Sequence, residues 1–329
     1  MRLTTIPADF SPILADNFFH FEDVDPSVST EIHFFDDKGE GLGARRYAGR
    51  TVIDSSPRAF LSLMLDPQPA VRGSLAVLRP EGRQVELSVA VGADGEHSSG
   101  VRFAANVARL EPSAVVGPAE QSRVIASGEY DEFSLLLAEG DDVTLECQVE
   151  GRSEVTLLRY VCPEAGYYTV VFEAEDLFNS LGEEQEPERL SLRVKIGGSL
   201  KGTLLYTVVP AAQGECRLAW LDAYGAIRHY TFRTQPEESL EVARRESDTL
   251  QGVQTLEVES WNTVVLRSGP LTSGQMEFLK GVISSPRVWQ LVDREWVLVT
   301  IGESVCRCAG KGARSVELRL RPAKRTKLW

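Results

Sequence analysis

Apolar and polar residues alternate with a period of two in several segments of the chain. Successive side chains of a strand point to opposite faces, so this alternation predicts strands with one face on a core and one in water. Turn residues separate these segments, as in Glu139-Gly140-Asp141, and favour short antiparallel connections. The alternating segments are residues 85–91, 143–149, 190–196 and 316–320.

Two aromatic hairpins and two helices complete the predicted elements. One hairpin joins residues 216–221 to 227–233, and Gly225 in its turn can take the positive φ that a short loop needs. The other joins residues 288–292 to 296–301 around a turn at 293–295. Acidic residues begin a short predicted helix at 173–181, and Thr272 or Ser273 can cap a helix at about 272–284.

These elements predict a mainly β protein with two or three antiparallel β-sandwich or small-barrel domains and one or two short helices. A length of 329 residues is enough for two or three cores. The Pro-, Gly- and Ala-rich residues 111–120 are the best linker, and residues 197–202 are a weaker one. We therefore predict an N-terminal β-sandwich at 1–112, a second at 113–200, and a C-terminal β domain with the helix and a basic tail at 201–329.

Composition and charge narrow the function classes. The chain is 43% hydrophobic and 25% charged, as globular proteins are. It has no apolar run of about 18 residues, so no membrane span is expected, and residues 1–23 do not resemble a secretory signal. The net charge is −13, although residues 307–329 hold eight Lys or Arg and one Glu. An acidic body disfavours nucleic acid, whereas the basic tail can meet an acidic neighbour or form a solvated strand edge.

Residues that catalysis or metal binding requires do not form a recognisable pattern. Cys306 and Cys308 would share one face of a strand, but no His or Cys lies at ligand spacing from them, so we expect no metal and no cofactor. Neither a nucleophile elbow nor a phosphate-binding loop is present. Glu173, Glu175 and Asp176 lie beside aromatic residues and keep a two-carboxylate glycoside hydrolase open, although a helix dipole alone favours acids there.

Aromatic residues of the two hairpins are candidates for contact with a partner or a sugar ring, and cross-strand pairing within a core is the alternative. The basic tail supplies further candidates for contact with an acidic partner. The candidate interaction residues are Trp220, Tyr224, Trp289, Trp296, Arg321, Lys324, Arg325 and Lys327.

The C-terminal part of the chain resembles a known family of structural proteins. It contains the phrase LAWLDAYGA at 218–226, the phrase HYTF at 229–232, and the run FLKGVISSPRVWQL at 278–291. The order of these phrases resembles tail or baseplate proteins of tailed phages and prophages of Bacteroidetes-type bacteria, which are similar to distal tail proteins. Asp222 stands where that family has Asn. The resemblance covers less than half of the chain.

That resemblance implies a virion component that forms a ring without catalysis or cofactor and is located in the virion tail. Because residues 1–23 do not resemble a secretory signal, we expect the chain to be made in the bacterial cytoplasm. Its partners would be copies of itself and neighbouring tail proteins. Our leading hypothesis is therefore a non-catalytic assembly protein of a phage tail or baseplate. The alternatives are a β-sandwich module that binds a carbohydrate or another ligand and, third, the glycoside hydrolase.

Overall fold

The computed structural model confirms a mainly β fold with several antiparallel sheets. It describes residues 1–13, 15–92, 95–106, 110–150, 152–182, 187–211, 215–249, 252–302, 304–308, 314–322 and 326–327. All four alternating segments are strands there, and their apolar positions are mostly buried. Two strand pairs, described below, are parallel and depart from the predicted antiparallel arrangement.

The N-terminal strands form two sheets around a shared core. A five-stranded sheet has the order β2-β9-β8-β4-β5, with β2 and β9 parallel, and a three-stranded sheet has the order β1-β3-β6. Phe19, Phe34 and Phe103 pack between them. The elements are β1 (Arg2–Thr5), β2 (Ser11–Pro12), β3 (Phe19–Glu22), β4 (Thr30–Phe35), β5 (Gly41–Tyr47), β6 (Ile53–Ser55), α1 (Arg58–Met64), β7 (Ala76–Leu78), β8 (Gln84–Val91) and β9 (Val101–Ala104).

The middle of the chain forms a β-sandwich. A four-stranded sheet of order β10-β12-β15-β7 faces a five-stranded sheet of order β11-β17-β16-β13-β14, in which β11 and β17 are parallel. Phe133, Leu192 and Tyr206 belong to the core between the sheets. The elements are β10 (Ala114–Val115), β11 (Glu120–Ala126), β12 (Tyr130–Leu137), β13 (Asp142–Val149), β14 (Val155–Val161), β15 (Gly166–Glu173), α2 (Ala174–Ser180), β16 (Arg189–Ile196) and β17 (Ser199–Val209).

The C-terminal strands form one nine-stranded sheet. Its order is β19-β18-β22-β23-β25-β21-β20, and β24 and β26 pair with β25 and β21. One helix packs on one face of this sheet, through Met276 and Leu279. The elements are β18 (Cys216–Leu221), β19 (Ile227–Phe232), β20 (Glu237–Thr249), β21 (Gly252–Arg267), α3 (Ser273–Ser284), β22 (Val288–Val292), β23 (Glu295–Ile301), β24 (Val305–Cys308), β25 (Arg314–Pro322) and β26 (Thr326–Lys327).

Both predicted helices are present, as α2 and α3, and both predicted hairpins are present, as β18–β19 and β22–β23. The tight turn of the second hairpin places Asp293 and Arg294 at positive φ. The described chain has a third helix, α1, which the sequence does not predict, because only Leu61 of its seven residues is buried and no side chain caps it. No helix in the described ranges is both long and apolar enough to cross a membrane.

Packing connects the C-terminal sheet to the N-terminal core. Ala219, Leu221, Ile227 and Trp289 bury their side chains in the same cluster as Phe19 and Phe34. Strand β17 begins at Ser199, so it also crosses the predicted boundary at residue 200. The domain ranges 1–112, 113–200 and 201–329 stay a prediction.

Candidate functional site

A long two-stranded ribbon, which we call the arm, is formed by β20 and β21. The two strands pair antiparallel from Glu237 with Val265 to Thr249 with Gly252. On its other edge, β21 pairs with β25 only between Val264 and Arg267, and with β26 at Glu259 and Ser260. The outer half of the arm consists of residues 245–249 and 252–257. Within the described residues, these two segments pair with each other and with no other strand.

The outer edge of the arm is open. Strand β20 is the last strand of the nine-stranded sheet, and its 13 residues contain neither Pro nor Gly. An edge strand presents a row of backbone N–H and C=O groups to which another chain can add a strand. The length of β20 makes this edge suited to pairing, although its register with β21 shifts between Arg245 and Glu246.

Apolar side chains of the arm lie in solvent. Leu240 is 66% exposed, Val253 is 64% exposed and Leu256 is 58% exposed. An isolated two-stranded ribbon is at best marginally stable in water, because it has no core on which to bury such side chains. These positions gain most by packing against a second surface.

Arg321, a candidate from the basic tail, fixes the base of the arm. Its Nη2 atom lies 2.9 Å from Glu241 Oε2, and its guanidinium lies 5.4 Å from the centre of the Trp261 ring. Trp261 Nε1 donates to the same Glu241 oxygen at 3.0 Å. These contacts hold β20, β21 and β25 together.

The other candidates of the basic tail are Lys324, Arg325 and Lys327. Lys324 and Arg325 lie outside the described residues. Lys327 belongs to β26, whose backbone places it opposite Glu259 of the arm. The tail therefore runs beside the arm at this point.

Two tryptophans of the β22–β23 hairpin pack against other parts of the chain. Trp289 is 2% exposed and packs in the N-terminal core. Trp296 is half-buried, and its Nε1 atom donates to Tyr130 Oη at 3.1 Å. Its ring centre lies 5.3 Å from that of His229. Cross-strand and core packing thus account for the contacts of both residues.

A buried ionic network lies beside these rings, and the sequence reasoning missed it. Glu132 accepts from Arg83 at 2.5 Å, from His229 Nε2 at 2.8 Å and from the Ala70 backbone N–H at 2.8 Å. Burial alone would raise the pKa of Glu132, but Arg83 and His229 lower it to about 2. The available signal is the pair of adjacent acids Asp131–Glu132 inside a mostly apolar strand.

The network connects distant parts of the chain. The neighbouring Asp131 accepts from Arg123 at 2.7 Å and from Tyr206 Oη at 2.7 Å. Burial lowers the pKa of His229, against the effect of Glu132, so its neutral form is favoured. Glu132 and the His229 side chain are fully buried, so these groups stabilise the packing of the three regions and are not accessible to a substrate.

The acids at the start of α2 have a structural partner. Glu173 pairs with Arg72 at 2.7 Å, while Glu175 and Asp176 occupy the first turn, where the helix dipole favours negative charge. Cys147, Cys162 and Cys216 are buried thiols, and Cys306 is half-buried. Among the described residues, no group of three or more His, Cys, Asp or Glu side chains is placed to hold a metal ion.

Trp220 and Tyr224, the candidates of the β18–β19 hairpin, both line a cavity of about 580 Å³. Trp220 is buried against Phe278 of α3 with their ring centres 5.1 Å apart. Tyr224 is half-buried in the turn, where Asp222 accepts from the Tyr224 backbone N–H at 2.8 Å. The structure thus brings these two candidates together, whereas Trp289 and Trp296 belong to a different hydrophobic cluster from Trp220. Neither a protein-family model nor a curated protein matches the chain.

Proposed function

We propose that this chain is a non-catalytic assembly protein that associates with copies of itself through the arm. The observation that carries the proposal is the outer half of the arm, which pairs only with itself in the described chain and exposes Val253 and Leu256. A folded chain that keeps such a ribbon in solvent gains free energy when a neighbour covers it.

Two arginines of β20 offer a charged contact to a second copy, although the same strand also holds five acidic residues. Arg244 and Arg245 are exposed near the middle of β20, in a protein whose net charge is −13. The acidic surface of another copy would attract these two cations during encounter, and salt would weaken that attraction. A heterologous contact of this kind, repeated from copy to copy, closes a ring when the rotation between copies allows it.

The finer proposal is that this ring belongs to a phage tail or baseplate, with neighbouring tail proteins as further partners. Its support is the sequence resemblance at residues 218–232 and 278–291. Those phrases lie in the β18–β19 hairpin, in α3 and in β22, beside the sheet that carries the arm. In this proposal the protein acts without a cofactor and is located in the virion tail.

Size-exclusion chromatography with light scattering, over a range of protein and salt concentrations, tests the assembly. A variant with Asn-Gly in place of residues 245–257 joins the cross-strand partners Arg244 and Val258 by a two-residue turn. We expect the intact protein to form oligomers that high salt weakens, and the shortened variant to be a monomer with an unchanged melting temperature.

Matched surface variants distinguish association through the arm from nonspecific association through other exposed apolar side chains. The double change Val253→Ser and Leu256→Ser should weaken association, whereas Leu63→Ser with Val71→Ser should leave it unchanged. The control positions are more exposed than those of the arm but lie elsewhere. A monomer under every condition would contradict self-assembly, and oligomers that survive loss of the outer arm would contradict its role.

A further inference from the structure

A cleft of about 400 Å³ lies at the base of the arm, and we call it the base cleft. It lies where β21 and β25 stop pairing, beyond Val264 and Leu320. Its apolar lining comes from four strands of the nine-stranded sheet. These residues are Leu240 of β20, Val264 of β21, Leu320 of β25, and Val297 and Val299 of β23.

Strand register places the apolar lining on one face of the sheet. Leu240 lies opposite the residue two positions before Val264, and Val264 lies opposite Leu320. Leu320 in turn lies opposite Ile301, which is four positions from Val297. Opposed residues, and residues an even number of positions apart, share a face of a sheet. Helix α3 packs on this same face, because Leu320 belongs to the cluster beneath that helix.

The base cleft is open to solvent. Leu320 is buried at its floor, whereas Leu240 is 66% exposed and Val297 is 45% exposed. Asn262 and Gln290 add polar groups to the lining. Apolar side chains at the centre with polar groups around them are the usual composition of a contact between proteins.

The chain itself carries a projection that matches this cleft. The outer half of the arm exposes Val253 and Leu256, and it holds one Arg and three acidic residues, a net charge of −2. The charged residue that lines the base cleft is Arg321, whose side chain is 34% exposed. Because Glu241 already pairs with Arg321, charge mainly orients the contact, and the apolar side chains supply most of its free energy.

The outer half of a chain's own arm does not reach its own base cleft. Strand β20 is extended from Leu240 to Asp248, which lies opposite Val253. At about 3.3 Å per residue, these two positions of β20 are about 26 Å apart. A matching arm must therefore come from another molecule.

We infer that the outer half of the arm of one copy lies in the base cleft of the next, with Val253 and Leu256 against Leu240 and Val297. This inference rests on the proposed self-association through the arm, and it names the surface that receives the arm. Each copy then has one donating and one receiving surface, as a heterologous contact requires.

Cross-linking between copies tests the contact. One chain carries Leu256→Cys and a second carries Val297→Cys, both with Cys306→Ser and Cys308→Ser, so that the three native cysteines that remain are buried. A short bis-maleimide added to the mixture should give covalent dimers, and either chain alone should give none. The matched control is Leu298→Cys in place of Val297→Cys. Leu298 is also 45% exposed but lies on the opposite face of β23, so this mixture should stay uncross-linked.

A chain with both Leu256→Cys and Val297→Cys tests the head-to-tail order. Each copy is then linked to one neighbour through its arm and to another through its base cleft, so covalent products should extend beyond the dimer. Products that stop at the dimer would show a reciprocal contact of two copies and would contradict the inferred order.

Serine substitutions measure the strength of the contact. Leu240→Ser with Val297→Ser should weaken association by about tenfold or more, as light scattering over a range of protein concentrations measures it. Leu298→Ser with Leu200→Ser should leave association unchanged. All four side chains are at least 45% exposed, so these changes leave the folded core in place.

The outcomes separate this inference from the proposed self-association. A monomer under every condition would overturn both. Oligomers that Leu240→Ser with Val297→Ser leaves unchanged would overturn this inference alone and would assign the base cleft to another occupant. Cross-links that form equally with Leu298→Cys, or with Leu256→Cys alone, would place the arm on another surface of the second copy.

Discussion

His229 Nε2 lies 2.8 Å from Glu132 Oε1, although 97 positions separate the two residues in the chain. Glu132 lies on β12 of the sandwich and His229 on β19 of the nine-stranded sheet. Arg83, which precedes β8, reaches the other oxygen of the same carboxylate. One buried carboxylate therefore connects all three regions of the chain.

Glu132→Gln should destabilise the protein strongly. The amide has no charge to offset Arg83, whose side chain is almost fully buried, and breaking a buried ion pair in this way costs about 3–5 kcal/mol. Urea unfolding near neutral pH measures the loss. Glu238→Gln, on the exposed edge of the arm, is the control and should change the free energy of unfolding by less than about 0.5 kcal/mol.

Acid should lower the free energy of unfolding by protonating the Glu132 carboxylate. The folded-state pKa of Glu132 is about 2, below its ordinary value of 4.5, so the folded protein binds this proton less readily than the unfolded chain does. The stabilisation is present above about pH 4.5 and is lost as pH falls towards 2. Unfolding free energies measured across this window should fall more steeply for the unchanged protein than for Glu132→Gln; parallel curves would contradict the assignment.

Thr272→Ala should weaken the start of α3. Thr272 Oγ1 accepts from the Gln275 backbone N–H at 3.2 Å, and Gln275 Oε1 accepts from the Thr272 backbone N–H at 3.0 Å. Loss of such a cap costs about 1 kcal/mol. Thermal unfolding compares this variant with Ser273→Ala, which leaves both capping bonds in place. Equal effects of the two changes would show that the capping box does not stabilise the helix.

The sequence predicts elements of this fold whose signals are local. Alternation at residues 190–196 and the cap before α3 each depend on neighbours within a few positions. Helix α1 lacks both kinds of signal, because it buries one side chain and has no side-chain cap. Local pattern therefore identifies most strands and two helices, but it does not identify a helix in which only one side chain is fully buried.

Features of the candidate sites depend on contacts that are distant in sequence. The charged pair Asp131–Glu132 can lie in a buried strand because Arg83, Arg123 and His229 arrive from elsewhere. The sequence does not predict the arm, because its free length depends on where β25 stops pairing with β21, which is at Val264. Trp220 and Trp289 belong to similar hairpins, yet Trp220 lines a cavity beside α3, whereas Trp289 is buried in the N-terminal core.

Arg321→Ala should loosen the arm without unfolding the protein. Arg321 stacks on Trp261 and pairs with Glu241 at a partly exposed position, and such contacts contribute about 1 kcal/mol or less. Amide hydrogen exchange should become faster in β20 and β21, while the exchange of β12 stays unchanged. Arg319→Ala, an exposed change on the same strand, is the control. Faster exchange throughout the protein would instead assign Arg321 a role in global stability.

Comparison of Gly225→Ala with Gly140→Ala distinguishes the cost of backbone strain from the cost of a steric overlap. The two glycines have nearly the same φ, +81° and +82°, so alanine costs about 1 kcal/mol of strain at either position. A Cβ at Gly140 meets nothing within 4 Å, whereas one at Gly225 would overlap the Ala105 carbonyl oxygen. Gly225→Ala should therefore lower the free energy of unfolding by about 3 kcal/mol, and Gly140→Ala by about 1 kcal/mol. Urea unfolding of both variants measures the difference, and equal losses would contradict the close packing of the β18–β19 turn on the N-terminal region.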